Sequence, residues 1–257
     1  MRKQWVGGDL AKQSYDACAP VYDEFNRGYM YERWTGRLLS RAEEAGLGGK
    51  RLLDVGCGTG LSFIRLLEAG WEVTGCDISP EMLKRARERA EGRAELVEAD
   101  MRELPKLGEF DLIWAVGDPF NYLMEDEEME ATLRGMARNL APDGIALFDA
   151  NTLVTYRTFF SEEVVVEDEG QRLVWQGQLS PEEVTPGTLA EARFDVPGQP
   201  GHTHIHRQRH FSEEQVRAAI ERAGLECVAL YGEFEGELSL GLDENHHTKA
   251  IYLCRFK

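Results

Sequence analysis

Positive charge is scarce in this 257-residue chain: 29 Lys and Arg stand against 46 Asp and Glu, a formal net charge of −17. A field of that sign repels phosphate backbones and anionic lipid, so neither a nucleic-acid partner nor a membrane partner is expected. No apolar run reaches the about 18 residues that a membrane-spanning helix needs. The opening residues MRKQWVGGDLAKQ carry basic side chains but no apolar stretch, so no secretory signal is expected. Cysteine is limited to Cys18, Cys57, Cys76, Cys227 and Cys254, an odd and scattered set. It holds neither a C-x-x-C pair nor a disulfide framework, and fits small residues tucked into the fold of a cytoplasmic protein. Internal repeats, low-complexity segments and long linkers are also missing, so a single domain is expected, as a monomer or homodimer.

Apolar positions near Leu10, Tyr15, Tyr22, Phe25, Tyr29 and Trp34, continued by Leu38, Leu39 and Ala42, predict a helical region over 10–46. Strands and helices then alternate. Strands are expected at 51–55, 72–76, 94–98, 110–116 and 144–149, the last following a turn at Pro142-Asp143-Gly144. Helices are expected at 62–69, from Pro80 to about Arg89 behind a Ser79 cap, and at 127–139. That rhythm predicts an α/β fold with a mostly parallel sheet and helices on both faces. From Thr155 to Phe211 the helical period is gone. Short alternating runs at 164–168, 172–178, 189–195 and 202–210, parted by turns at Pro186-Gly187 and 197–201, predict an antiparallel insertion. Ser212 then caps a helix over 213–223, and 225–231 and 249–256 close the chain as strands.

The sharpest local signal is Asp54-Val55-Gly56-Cys57-Gly58-Thr59-Gly60, a strand running into a glycine turn. Glycines allow positive φ and let a ligand approach main chain where a Cβ would collide. The helix after such a turn offers N–H groups to an anion or carboxylate. A dinucleotide fingerprint, G-x-G-x-x-G, would place its third glycine where this chain has Leu61, which argues against a nicotinamide dehydrogenase. Acids stand at successive strand ends: Asp77, Asp100 and then Gly117-Asp118. Acids at the carboxyl edge of a parallel sheet suit ribose hydroxyls, although each alone could simply cap a helix or turn.

These residues resemble the class I S-adenosylmethionine-dependent methyltransferases. Leu52 to Gly60 is similar to their first motif, VTGCDISPEM from Val73 to their second, and EADMRELP from Glu98 to their third. The stretch 110–122 resembles the fourth, and LAPDGIALFD from Leu140 resembles the segment that forms strand five. The resemblance implies a Rossmann-like seven-stranded sheet with an antiparallel last strand, and a cofactor-binding core over 50–150. It implies that the loop of Gly56, Cys57, Gly58 and Gly60, with Asp54 just ahead, faces the methionine part of the cofactor. Asp77 would hold the ribose diol, Asp100 the adenine amino group, and the Met101 main chain the ring edge. Ile78 and Met82 would flank the adenine, and Gly117 would border the same site. Ala19-Pro20-Val21-Tyr22-Asp23-Glu24-Phe25 is similar to a Tyr-Asp segment of small-molecule members, including antibiotic aminosugar N-methyltransferases. By that likeness residues 1–46 form a cap in which Tyr22 closes the site and Arg33 or Trp34 lies near the cofactor carboxylate.

Methyl transfer asks for alignment of acceptor and methyl group, and a hydroxyl or carbon acid also needs a general base within about 3 Å. Asp118 is the candidate base or amine anchor, with Asn121 and Tyr122 as polar companions. Asp118-Pro119-Phe120 lacks the second proline of the nucleobase amino-methyltransferase motif and sits two residues late, so that reading is rejected. His202, His204, His206 and His210 share one strand face because side chains alternate. They read as a solvated face, as bases toward the site with His204 the catalytic candidate, or as a metal cluster; no metal is expected, since no supporting ligand motif accompanies them. The expectation is methyl transfer to a small-molecule amine or hydroxyl, with 155–211 over the acceptor site and 212–257 completing the sheet. An RNA or protein methyltransferase and a non-catalytic S-adenosylmethionine-binding protein are the alternatives.

Overall fold

Alternation with period two divides the apolar strands between two cores. In the computed structural model, which describes residues 8–29, 31–168, 171–195 and 203–257, β1 (Arg51–Val55) sends Leu53 and Val55 to one face and Leu52 to the other. The same split recurs in β4 (Phe110–Ala115) and β5 (Leu140–Asn151), which follow β2 (Glu72–Asp77) and β3 (Glu95–Glu98). A strand buried on both faces has no polar side, which explains the near-continuous hydrophobic runs.

The first core is covered by α6 (Asp126–Asn139) and α8 (Glu213–Arg222) through Met129, Leu133, Met136, Val216 and Ile220. The second is covered by α3 (Tyr31–Glu44), α4 (Ile64–Glu68) and α5 (Pro80–Ala90). The cap is completed by α1 (Gly8–Cys18) and α2 (Tyr22–Phe25). Ser79 caps α5 by accepting the Met82 N–H at 3.1 Å, with Pro80 at the first helical position, a device worth about 1 kcal/mol.

Among the described residues the main sheet has eight strands, not seven. β1 pairs in parallel with β2 and β4, β2 with β3, and β4 with β5. β12 (Lys249–Phe256) then runs antiparallel between β5 and β10 (Leu225–Phe234), and β11 (Glu237–Leu240) pairs on the outer side of β10. The short β11 escapes a periodicity search because four residues carry too little pattern. The expected turn at Pro142-Asp143-Gly144 sits inside β5 as an excursion: Phe110 faces Leu140, yet two residues later Leu112 faces Ile145.

Between β5 and α8 lies the antiparallel insertion, a four-stranded sheet of β6 (Glu163–Asp168), β7 (Gln171–Gly177), β8 (Leu189–Asp195) and β9 (Thr203–Arg209). The expectation of no helix here is corrected by α7 (Leu153–Thr158), which is too short to show a helical period. His202 and the turn at 197–201 lie outside the described residues. A third core, with Tyr156, Phe160, Trp175 and Phe194, joins this sheet to Cys18 and Val21 of the cap. The Ser14 hydroxyl donates to the Ile205 carbonyl at 2.7 Å, fastening α1 to β9. Among the described residues no helix is long and apolar enough to cross a membrane.

Candidate functional site

A cavity with about 890 Å³ of empty space, which includes open solvent, opens at the carboxyl ends of β1 to β4. The chain reverses there because Gly56 and Gly58 hold φ of +75° and +53°, conformations that L side chains rarely adopt. The N–H groups of Gly56 and Cys57 donate to the Cys76 carbonyl at 2.8 and 3.0 Å, and that of Gly58 donates to Asp77 Oδ2 at 2.8 Å. These three loop donors are spent inside the protein, and α4 begins only at Ile64. Arg102 is the only basic side chain lining the cavity among the described residues. Its guanidinium grips Asp100 at 2.8 and 2.5 Å and reaches the buried Glu128 at 3.2 Å. A phosphate would meet carboxylates and no free cation here, whereas a cationic nucleoside with a ribose diol finds acceptors.

Asp77, buried to 9% exposure, also accepts the Ser79 N–H at 2.9 Å. Burial raises its pKa, and the main-chain donors of Ser79 and Gly58 pull it back. Cys57, Ile78, Asp100, Met101 and Gly117 line the cavity as expected, with Tyr22 on its wall. The Thr59 hydroxyl donates to Asp23 Oδ1 at 2.5 Å, and Arg89 pairs with Asp23 Oδ2 at 2.5 Å. The Tyr-Asp pair thus divides its work: Asp23 fastens α2 to the glycine loop while Tyr22 faces the cavity.

Five expected cofactor residues do not line it. Gly60 turns the chain at φ +85° and leaves room for the Phe63 ring, which a Cβ would meet at 2.7 Å. Asp54 is fully buried behind the loop, where the Ser62 hydroxyl donates to it at 2.5 Å and burial pushes its pKa up to about 7. Met82 points into the third core. Arg33 is exposed and pairs with Glu237 on β11 at 3.2 Å, because α3 turns that side toward the outer strands. Trp34, on the apolar stripe of the same helix, packs into the second core.

A second chamber, with 2420 Å³ of empty space that includes open solvent, adjoins the first. Tyr15, Tyr22, Tyr31, Gly117 and Tyr122 line both. The Tyr22 and Tyr31 hydroxyls lie 3.2 Å apart, and burial raises the pKa of both phenols, that of Tyr31 to about 12. Beyond this shared wall the chamber is faced by Phe25, Trp175, Phe194 and other aromatic rings.

Asp118 lies at its base, in a left-handed conformation with φ +60°. Its Oδ2 accepts from Gln208 at 2.5 Å and its Oδ1 from Lys249 at 3.0 Å. Lys249 also reaches Asp149 and Asn151, each at 3.2 Å. Sequence reasoning missed Lys249, because a lysine at the head of an apolar strand reads as a solvated strand end. Asn121, instead of facing ligand, is fully buried and ties Tyr156, the Arg209 carbonyl and the Asn151 N–H together.

The histidine strand also needs correction. His206, not His204, lines the chamber: β9 advances about 6.8 Å per two residues, which carries His204 past the chamber. The Tyr122 hydroxyl and His206 Nδ1 share a hydrogen bond of 2.9 Å, and burial lowers the His206 pKa to about 3. His210, at the other end of the face, pairs with Glu244 at 2.8 Å.

Comparison with known proteins places these features. Residues 52–144 match the family described as Methyltransferase domain. A relative from Geobacillus sp. (strain WCH70), named as a methyltransferase, is 30% identical, the match covering 87% of this chain and 94% of that protein. Among solved structures, an S-adenosylmethionine-dependent methyltransferase from Clostridium acetobutylicum ATCC 824 shares the fold with a TM-score of 0.76 at 20% identity, over 94% of this chain and 98% of that one. A sugar N-methyltransferase from Streptoalloteichus sp ATCC 53650 does so with a TM-score of 0.71 at 24% identity, over 92% and 93%.

Proposed function

The chain belongs to the methyltransferases, and we propose that it uses S-adenosylmethionine to methylate a small-molecule amine or hydroxyl held in the aromatic chamber. The observation that carries this reading is the wall common to the two cavities, formed by Tyr15, Tyr22, Tyr31, Gly117 and Tyr122. Bound there, S-adenosylmethionine supplies a methyl group already activated on a sulfonium, so no protein nucleophile is required. We assign its ribose diol to Asp77, its adenine side to Ile78, Asp100 and Met101, and its methionine side to the loop from Gly56 to Gly58. These carboxylates and carbonyls match a cationic, hydroxyl-bearing ligand.

On the acceptor side, Asp118 accepts the acceptor's N–H or O–H and takes its proton as the new bond to carbon forms. Tyr22 and Tyr122 bound the path between the cavities, and burial keeps the Tyr22 phenol neutral, so both serve as hydrogen-bonding walls. Aromatic faces and a carboxylate favour an amine, since a protonated amine is drawn to both before it gives up its proton. The sugar N-methyltransferase from Streptoalloteichus supports the same preference. A screen of small amines, amino sugars and phenols for release of S-adenosylhomocysteine tests the reading. Turnover of amines that is lost in Asp118→Asn is expected; turnover untouched by that change would refute the acceptor site.

A further inference from the structure

We propose that Lys249 is a positioning residue for Asp118, its ammonium charge and hydrogen bond fixing that carboxylate toward the acceptor chamber. This rests on the reading of Asp118 as the acceptor-facing group. Lys249 heads β12 directly opposite Asn151 of β5 and is 7% exposed. Its ammonium donates to Asp118 Oδ1 at 3.0 Å and to Asn151 Oδ1 at 3.2 Å, and pairs with the Asp149 carboxylate at 3.2 Å. So placed, Lys249 serves through its charge and its grip on neighbours.

That grip acts on Asp118 twice. The direct bond fixes one carboxylate oxygen while Gln208 fixes the other. The indirect route runs through Asp149, which is fully buried and accepts the main-chain N–H of Gly117 at 3.2 Å and of Asp118 at 2.8 Å. Those bonds stabilise the left-handed backbone of Asp118, a conformation that L side chains adopt only occasionally. One cation therefore secures both the side chain and the loop that carries it.

Charge balance shows what its removal does. Two carboxylates, the fully buried Asp149 and the partly exposed Asp118, flank one ammonium. Burial works against the ammonium, yet the attraction of Asp118 and then Asp149 prevails and lifts the Lys249 pKa well above its ordinary value. The other titratable groups facing this point are Tyr29, Tyr31 and Tyr22 from the cap, Tyr15 from α1, Tyr122 from its own loop, Tyr156 from α7, His206 from β9 and the carboxyl of Glu233, which stands opposite Lys249 on β10. Burial raises the pKa of each phenol and lowers that of the imidazole, so the phenols and the imidazole remain neutral near pH 7. None can replace the positive charge. Without it the two carboxylates repel, and one takes up a proton.

Carbon-13 NMR of protein labelled at the aspartate carboxyl carbon reads this directly, with the Asp118 signal assigned by its loss in Asp118→Asn. In Lys249→Met the Asp118 titration should move about 1–3 pH units upward relative to the unsubstituted protein. Lys249→Arg should hold it in place. Asp149→Asn added to Lys249→Met should return it most of the way, which a purely structural role of Lys249 would not produce. Should Lys249→Met fail to fold, comparison of Asp149→Asn with Asp149→Asn/Lys249→Met must still show an upward shift on loss of the lysine. An Asp118 titration indifferent to Lys249 in both comparisons overturns the proposal. Amine turnover that survives Asp118→Asn overturns instead the acceptor-site reading beneath it.

Discussion

Asp77 and Gly58 are joined by a 2.8 Å hydrogen bond from the loop N–H to the carboxylate, linking the end of β2 to the turn after β1. One carboxylate thereby shapes the glycine loop and borders the first cavity, whereas Asp118 borders only the second. Asp77→Ala should weaken S-adenosylmethionine binding by about 10- to 100-fold, the scale of hydrogen bonds to a charged group. Asp118→Ala should change it by less than about threefold, a shift well under 1.4 kcal/mol. Calorimetric titration of both variants checks the division of roles; equal losses would refute it.

Arg89 bridges α5 to α2 through Asp23 and also donates to the Thr59 carbonyl, so it clamps the helix that carries Tyr22 onto the glycine loop. The pair is partly exposed, at 24% and 32%, and contributes about 1 kcal/mol or less to global stability. Arg89→Ala should nevertheless loosen the cap. Faster proteolytic cleavage within residues 8–29 and weaker cofactor binding are expected at a nearly unchanged melting temperature. Unaltered cleavage would mean that the third core alone holds the cap down.

His206 is neutral in the fold because burial lowers its pKa to about 3, against an unfolded value near 6.5. The unfolded chain therefore binds more protons between those values, and stability falls as pH drops from about 6.5 toward 3. Single-site linkage limits this contribution to about 1.4 kcal/mol per pH unit. His206→Asn, which can still bond Tyr122, should show a shallower loss in urea unfolding from pH 7 to pH 4. Parallel curves for the two proteins would rule out this titration.

The lining of the first cavity was legible because its signal is local. The glycine loop, Asp77 and Asp100 all lie within the run of alternating strands and helices; Asp77 ends β2, Asp100 follows β3 by two residues, and parallel pairing brings both to one edge. Where local pattern was ambiguous, it misled. Met82 and Trp34 carry the same apolar signal whether they face a ligand or a core, and packing sent both to cores. Arg33 could reach a carboxylate only if α3 turned that side inward, and its partner Glu237 belongs to a strand too short to foresee.

By itself the sequence determined the parallel core, the antiparallel insertion and the residues at the edge of the first cavity, because periodicity and strand-end residues are properties of neighbours along the chain. Tertiary structure alone decided which groups meet in the second chamber. Lys249 and Asp118 stand 131 residues apart, and only the antiparallel register of β12 against β5 brings the ammonium to the carboxylate. A one-residue slip in that register would turn every side chain of β12 to the opposite face, and the cation with them.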